Sequence, residues 1–145
     1  MFVSVYVELH CHSAYSFLDG ASLPDELAVA AEQLGYGALA LTDHDGLHGA
    51  MELATTVKDA GLALQPIVGA ELTLEDGSHL TLLCATREGY SNLCQLITTA
   101  HAGTRPHPGR EPLPPSTAYA DLEQRAAGLI CLSGCARQGV VARAV

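Results

Sequence analysis

His10 and His12 follow an apolar run as an H-x-H pair. In extended chain, residues two apart project to the same side, roughly 6.7 Å apart along the strand. Two imidazoles so placed can converge on one cation at about 2.0–2.1 Å from each nitrogen. Further metal-capable side chains recur along the chain. Asp19 precedes Gly20, Asp43 and His44 follow Leu41-Thr42, Glu71 follows Val68-Gly69-Ala70, His79 opens another apolar run, and Cys135 follows a third. Each has an ordinary alternative. A lone histidine is usually a hydrogen-bonded structural group, and Glu71 alone suits the surface of an edge strand. Cys135 alone suits a small buried hydrophobe, and Asp19 suits a turn. It is their joint placement beside apolar runs that predicts a multi-metal hydrolytic site. Divalent cations held there would lower the pKa of a coordinated water from 15.7 toward about 7 and offset charge developing on an oxyanion.

The elements that must position these residues are legible from periodicity. Val3 to Leu9 reads as a first strand. Ser22 opens a helix, with Pro24 in its first turn and Asp25 three residues on, and Gly35 closes it. Ala38 to Leu41 is a short buried strand. A second helix is predicted from about Leu47 to Ala60, with Met51, Ala54 and Val57 as its buried face. Leu64 to Leu74 and His79 to Cys84 read as strands separated by an Asp76-Gly77 turn. Ser91 to His101 is helical by spacing, and the proline-rich stretch from Gly103 to Ser116 is a loop. Another helix precedes a strand at Leu129 to Leu132, and Arg137 to Val145 closes the chain as a helix. Such alternation predicts an α/β fold on a mainly parallel sheet, with ligands bound at the strands' C-terminal ends.

Composition narrows the function classes. The chain has 145 residues, 48% of them hydrophobic and 16% charged, which suits one domain with a covered sheet. There is no apolar run long enough for a transmembrane helix, and Met1 to Leu9 lacks the basic start and cleavage pattern of a signal peptide. Seven basic residues face sixteen acidic ones, for a net charge of −9. With Lys58 as the only lysine and six scattered arginines, the chain lacks the clustered cations of a duplex-binding surface. Five cysteines without a C-x-x-C pair argue against a disulfide framework and for a reducing cytoplasm.

The motifs resemble a known family. Glu8-Leu9-His10-Cys11-His12-Ser13-Ala14-Tyr15-Ser16-Phe17-Leu18-Asp19-Gly20 and Leu41-Thr42-Asp43-His44-Asp45-Gly46 are similar to the opening of the PHP domain (polymerase and histidinol phosphatase). Gly69-Ala70-Glu71-Leu72, His79-Leu80 and Glu88-Gly89-Tyr90-Ser91-Asn92-Leu93 extend the likeness to the PHP domain at the N-terminus of bacterial C-family replicative polymerases, DNA polymerase III alpha subunits, in their error-prone branch. The resemblance implies a distorted TIM-like (β/α)7 barrel holding up to three divalent metals, with zinc favoured and manganese or magnesium as alternatives. By position, His10 and His12 would bind one metal and Glu71 would bridge to a second. His79 and Cys135 would complete the second site, and Asp19 and His44 would hold a third. Asp43 falls behind the ligands, orienting an imidazole. His48, His101 and His107 match no ligand position and are read as structural or solvated.

The family pattern ends in an Asp-x-His pair that this sequence does not reach before Val145. The resemblance therefore implies that residues 1–145 are the N-terminal part of an incomplete barrel, without the polymerase domains. The implied activity of an intact member is 3′–5′ exonuclease or phosphoesterase action in DNA replication and translesion repair. Its DNA would be delivered by the polymerase domains, other replication or mutagenesis proteins would be its partners, and no membrane is involved. Three rivals stand beside it: an inert structural PHP module, a stand-alone phosphatase acting on a small phosphomonoester, and the amidohydrolase class. The last also begins with H-x-H but often uses a carboxylated lysine at a strand end, whereas Lys58 falls in the second predicted helix.

Overall fold

The computed structural model describes residues 6–105, 109, 111–134 and 138–143. The strands are β1 (Val7–Cys11), β2 (Ala38–Leu41), β3 (Gln65–Thr73), β4 (His79–Cys84) and β5 (Leu129–Leu132). The helices are α1 (Pro24–Gln33), α2 (Ala50–Asp59), α3 (Arg87–His101), α4 (Tyr119–Gln124) and α5 (Val140–Arg143). The five strands form one curled sheet in the order β1-β2-β3-β4-β5. Strands β1, β2 and β3 are parallel, joined by helical crossovers. Strand β4 runs antiparallel to both β3 and β5.

The expected mainly parallel sheet is thus only half parallel. Asp76-Gly77 makes a tight return instead of a crossover: Gly77 sits at φ 77° and donates its N–H to the Leu74 carbonyl at 2.8 Å. The Asp76 carboxylate accepts from both the amide and the hydroxyl of Ser78, at 2.8 and 2.6 Å. Such a short link can only reverse the chain. One consequence matters for the site. His79, at the start of β4, lies on the same sheet edge as the C-terminal ends of β1, β2 and β3.

Helix boundaries move for local reasons. Leu23, and not Ser22, is the N-cap of α1: Pro24 takes the first helical position and the Glu26 carboxylate accepts the Leu23 N–H at 2.9 Å. Residues 47–49 form a turn before α2, which starts at Ala50. Helix α3 starts at Arg87, a turn earlier than its apolar spacing predicts. Thr86 supplies the cap by accepting the Gly89 N–H at 3.1 Å. The final helix begins at Val140, after a non-helical Gln138 and Gly139.

Two apolar clusters hold the layers together. Ala28, Ala31, Leu39, Leu41, Leu53, Val57 and Leu64 join α1 and α2 to one part of the sheet, and Ala70, Leu72, Leu82, Leu93 and Leu96 join α3 to β3 and β4. The face α2 buries is Ala50, Leu53 and Val57, whereas Met51 is 70% exposed. The predicted stripe through Met51 was therefore rotated. Leu53 sits three residues after Ala50 and four before Val57, so it completes a tighter stripe than Met51 does. Leu53→Ala should accordingly lower stability by about 2–5 kcal/mol, while Met51→Ala should change it by less than about 0.5 kcal/mol. Urea unfolding of the two variants checks the orientation of α2, and equal losses would contradict it.

Candidate metal centre

The first histidine pair owes its aim to a bulge. Glu8 pairs with Leu39 and Cys11 with Leu41, so β1 carries one residue more than β2 over this stretch. An extra residue bends a strand and redirects its side chains. The His10 amide is satisfied by the Glu8 carboxylate at 3.0 Å. The Nε2 atoms of His10 and His12 then lie 2.9 Å apart. Both meet the same oxygen of Glu71, at 2.7 Å from His10 and 2.9 Å from His12.

Glu71 reaches them by strand alternation. Ala70 and Leu72 point into the core against α3, which sends Glu71 to the opposite face of β3. It is 1% exposed. Burial alone would raise its carboxyl pKa, but contacts with His10 and His12 and the charge of His44 outweigh burial and hold it well below the usual carboxylate range. In return, the hydrogen bond to Glu71 raises His10 above the ordinary imidazole value, against the opposing effect of its own burial. The second oxygen, Oε1, is buried with no hydrogen-bond partner, and His79 Nδ1 stands 3.5 Å from it.

His44 is placed by backbone pairing beyond the end of β2. The Asp45 N–H donates to the Glu71 carbonyl at 2.8 Å, and the Glu71 N–H donates to the Asp43 carbonyl at 3.1 Å. Asp45 takes a left-handed φ of 48°, which turns its carboxylate onto the Thr73 amide and hydroxyl at 2.8 and 2.7 Å. That clamp fastens the loop to β3. The His44 ring meets Asp19 through Nε2 at 3.0 Å and lies edge-on to His79, with centroids 5.0 Å apart.

Asp43 is buried and reaches the histidines through serine. Its carboxylate accepts the Ser13 N–H at 2.7 Å, the Ser13 hydroxyl at 2.8 Å and the Ser16 hydroxyl at 2.7 Å. Because the one proton of Ser16 goes to Asp43, its oxygen is left to accept the His44 N–H at 3.1 Å and His12 Nδ1 at 3.2 Å. With a cation in place, the proton of a neutral His12 would thereby be drawn to Nδ1, which leaves the Nε2 lone pair for that cation.

Six of the seven predicted ligand positions therefore meet at one sheet edge, and Cys135 lies outside the described residues. Their donor atoms fall into two sets, His10-His12-Glu71 and His44-Glu71-His79, each with all its atoms within 4.8 Å of one another. Asp19 joins the second through His44. The arrangement fits cations. Two nitrogens about 2.0–2.1 Å from one ion lie about 2.9–3.4 Å apart for angles between a right angle and tetrahedral, and His10 and His12 already stand at 2.9 Å. The unpartnered Oε1 of Glu71 offers a second ligand atom to the second set. Sequence reading missed Ser13, Ser16 and Asp45 as positioning residues. Their only trace was the presence of two serines three apart directly after the H-x-H. Of the unassigned histidines, His101 donates through Nε2 to the Asp45 carbonyl at 2.8 Å, and His48 is exposed with its ring 6.3 Å from that of Tyr15. His107 lies outside the described residues.

Comparison with known proteins places this geometry. The chain is 47% identical over 91% of its length to an error-prone DNA polymerase of Symbiobacterium thermophilum, and 39% identical over 94% to one of Cutibacterium acnes. It spans 13% of the length of each of these relatives. Among solved structures it resembles a putative metal-dependent phosphoesterase of Bifidobacterium adolescentis, with a TM-score of 0.54 and 25% identity over 68% of this chain and 34% of that one. An amidohydrolase of Chromobacterium violaceum matches with a TM-score of 0.53 and 29% identity, over 67% of this chain and 34% of that one. Lys58 lies in the last turn of α2, away from the strand ends that bear the histidines. Residues 8–145 match the PHP domain, so this chain, with its half-barrel of strands and its paired histidine–carboxylate sets, belongs to the PHP domain family.

Proposed function

We propose that the chain is the first part of the PHP domain of an error-prone DNA polymerase and that its site hydrolyses a phosphoester, most specifically at a DNA 3′ end. The observation that carries this reading is the buried Glu71 carboxylate shared by two sets of imidazoles, with one oxygen unpartnered. His10, His12 and one Glu71 oxygen would hold the first cation. His79, the other Glu71 oxygen and Cys135 would hold the second. His44 stands between this set and Asp19, with which it would hold a third. Imidazole, carboxylate and thiolate donors together favour zinc, and the carboxylates also admit manganese or magnesium. Divalent cations bound here supply an acidified water and a counter-charge for the phosphoryl oxygens.

The lining of the site supports this division of labour. No lysine or arginine is found among the described residues that line it. A phosphate entering beside Glu71 and Asp19 would meet negative charge, so attraction must come from cations and not from side chains. The chain's own contribution is to place donors, hold His12 in one tautomer and bury Glu71 as an anion. Its net charge of −9 supports a reading in which the remainder of a polymerase grips the DNA. No helix among the described residues is long and apolar enough to cross a membrane. Among the described residues, Cys11, Cys84, Cys94 and Cys131 are free thiols.

Two measurements test this. Purified metal-free and then titrated with zinc, the chain should take up at least two equivalents per molecule. Glu71→Gln, which keeps the shape and removes the charge, should lose the shared ligand and lower hydrolysis of a DNA 3′ end by roughly a hundredfold or more. Zinc uptake with no hydrolysis of any phosphoester would favour a structural module, and turnover of a simple aryl phosphate without attack on DNA would favour a small-molecule phosphatase. Separately, Ser16→Ala removes the acceptor that sets the His12 tautomer. It should weaken zinc binding by about 10–100-fold in competition with a chromophoric chelator. An unchanged affinity would show that Ser16 and Asp43 do not orient the ligand.

A further inference from the structure

A cleft of about 650 Å³ opens directly beside the histidine–carboxylate cluster and shares Asp19, His44 and His79 with it. Its volume lies in the range of small-ligand sites. The rest of its lining is rich in planar rings, contributed by Tyr15, Phe17, His48 and His101. Phe17 is 85% exposed, and Leu18 beside it is fully exposed at a φ of 73°. A bulky residue is held in the left-handed region only when its surroundings impose it. The surroundings here are the turn from Ser13 to Gly20, closed by Ser13 and Ser16 carbonyls accepting the amides of Ser16, Asp19 and Gly20. No Cβ fits at Gly20, because it would collide with the Ser13 carbonyl. Asp19, two residues beyond Phe17, is bonded to His44. The turn that offers an apolar ring to solvent is thus the turn that is tied to the candidate cation site.

We propose that this cleft seats the terminal nucleobase of the strand, with Phe17 as its stacking face. The inference rests on the phosphoesterase reading above and adds to it a subsite for the base. Aromatic rings take any base through its π-face, without hydrogen-bond readout. Such stacking needs no basic residue, in keeping with a described lining that has none. Tyr15 is held by its hydroxyl donating to Glu52 at 3.1 Å, which leaves Phe17 the more open of the two rings.

The test uses the zinc-loaded full chain and two single-stranded oligodeoxynucleotides, one ending 3′ in the fluorescent base 2-aminopurine and one ending in an abasic deoxyribose. Phe17→Ala should weaken binding of the base-bearing end by about ten- to a hundredfold and relieve the quenching of 2-aminopurine. It should leave the abasic end bound as before. Phe17→Tyr should restore both signals, and Leu18→Ala, on the same turn but not lining the cleft, should change neither. Equal weakening of both oligonucleotides, or no change in either, overturns the proposal. An unaltered unfolding midpoint for Phe17→Ala, expected for so exposed a ring, keeps misfolding out of the comparison. Failure of the phosphoesterase reading looks different: neither oligonucleotide is hydrolysed, while quenching by the wild-type chain and its loss in Phe17→Ala persist.

Discussion

A carboxylate removed from water must be matched by positive charge or by donated protons, and Glu71 is matched incompletely. One oxygen receives two imidazoles and the other receives no hydrogen bond. An isolated buried acid would answer by holding its proton. Here the surrounding histidines prevent that, so the group stays an anion whose second oxygen is unsatisfied. Such a residue is a poor choice for stability and a good one for binding a cation. The bulge in β1, the Asp45 clamp and the hairpin before His79 all serve to bring donors to this one carboxylate.

The sheet topology makes that convergence possible. Three parallel strands deliver side chains at their C-terminal ends, and an antiparallel strand delivers them at its start. Reversal at Asp76-Gly77 therefore carries His79 to the edge where His10, His12 and His44 already stand. A parallel β4 of the same sequence would put His79 at the opposite edge. The register Thr73 to His79 and Glu71 to Thr81 then sets His79 close enough to approach Glu71 at 3.5 Å.

The sequence showed most of this through residue type and alternation. Strands β2, β4 and β5 were readable to the residue because continuous apolar runs flanked by turn formers leave little freedom. The direction of β4 was less evident, since alternation of helix and strand argues for parallel pairing until one short connection breaks it. The buried face of α2 is Ala50, Leu53 and Val57 and not Met51, Ala54 and Val57, because Met51 and Leu53 are both apolar and only packing distinguishes them. The candidate donor residues were legible, but their support was not. Ser16 reveals its part only once Asp43, distant in sequence, is seen to take its proton. The β1 bulge likewise exists only against the register of β2.

Tautomer control shows how such hidden support bears on function. An imidazole presents a lone pair through one nitrogen only if its other nitrogen holds the proton. His12 meets that condition through Ser16, whose oxygen can accept because its own proton is committed to a carboxylate with no better use for it. The Asp43 carboxylate belongs to neither candidate cation set. It is buried, bonded to two hydroxyls and an amide, and passed on as orientation to His12 through its side chain and to His44 through its backbone. Placing Asp43 next to His44 in sequence lets one short loop supply both a candidate ligand and the anchor that aims another, which is why D-H at the end of a strand carries more information than either residue alone.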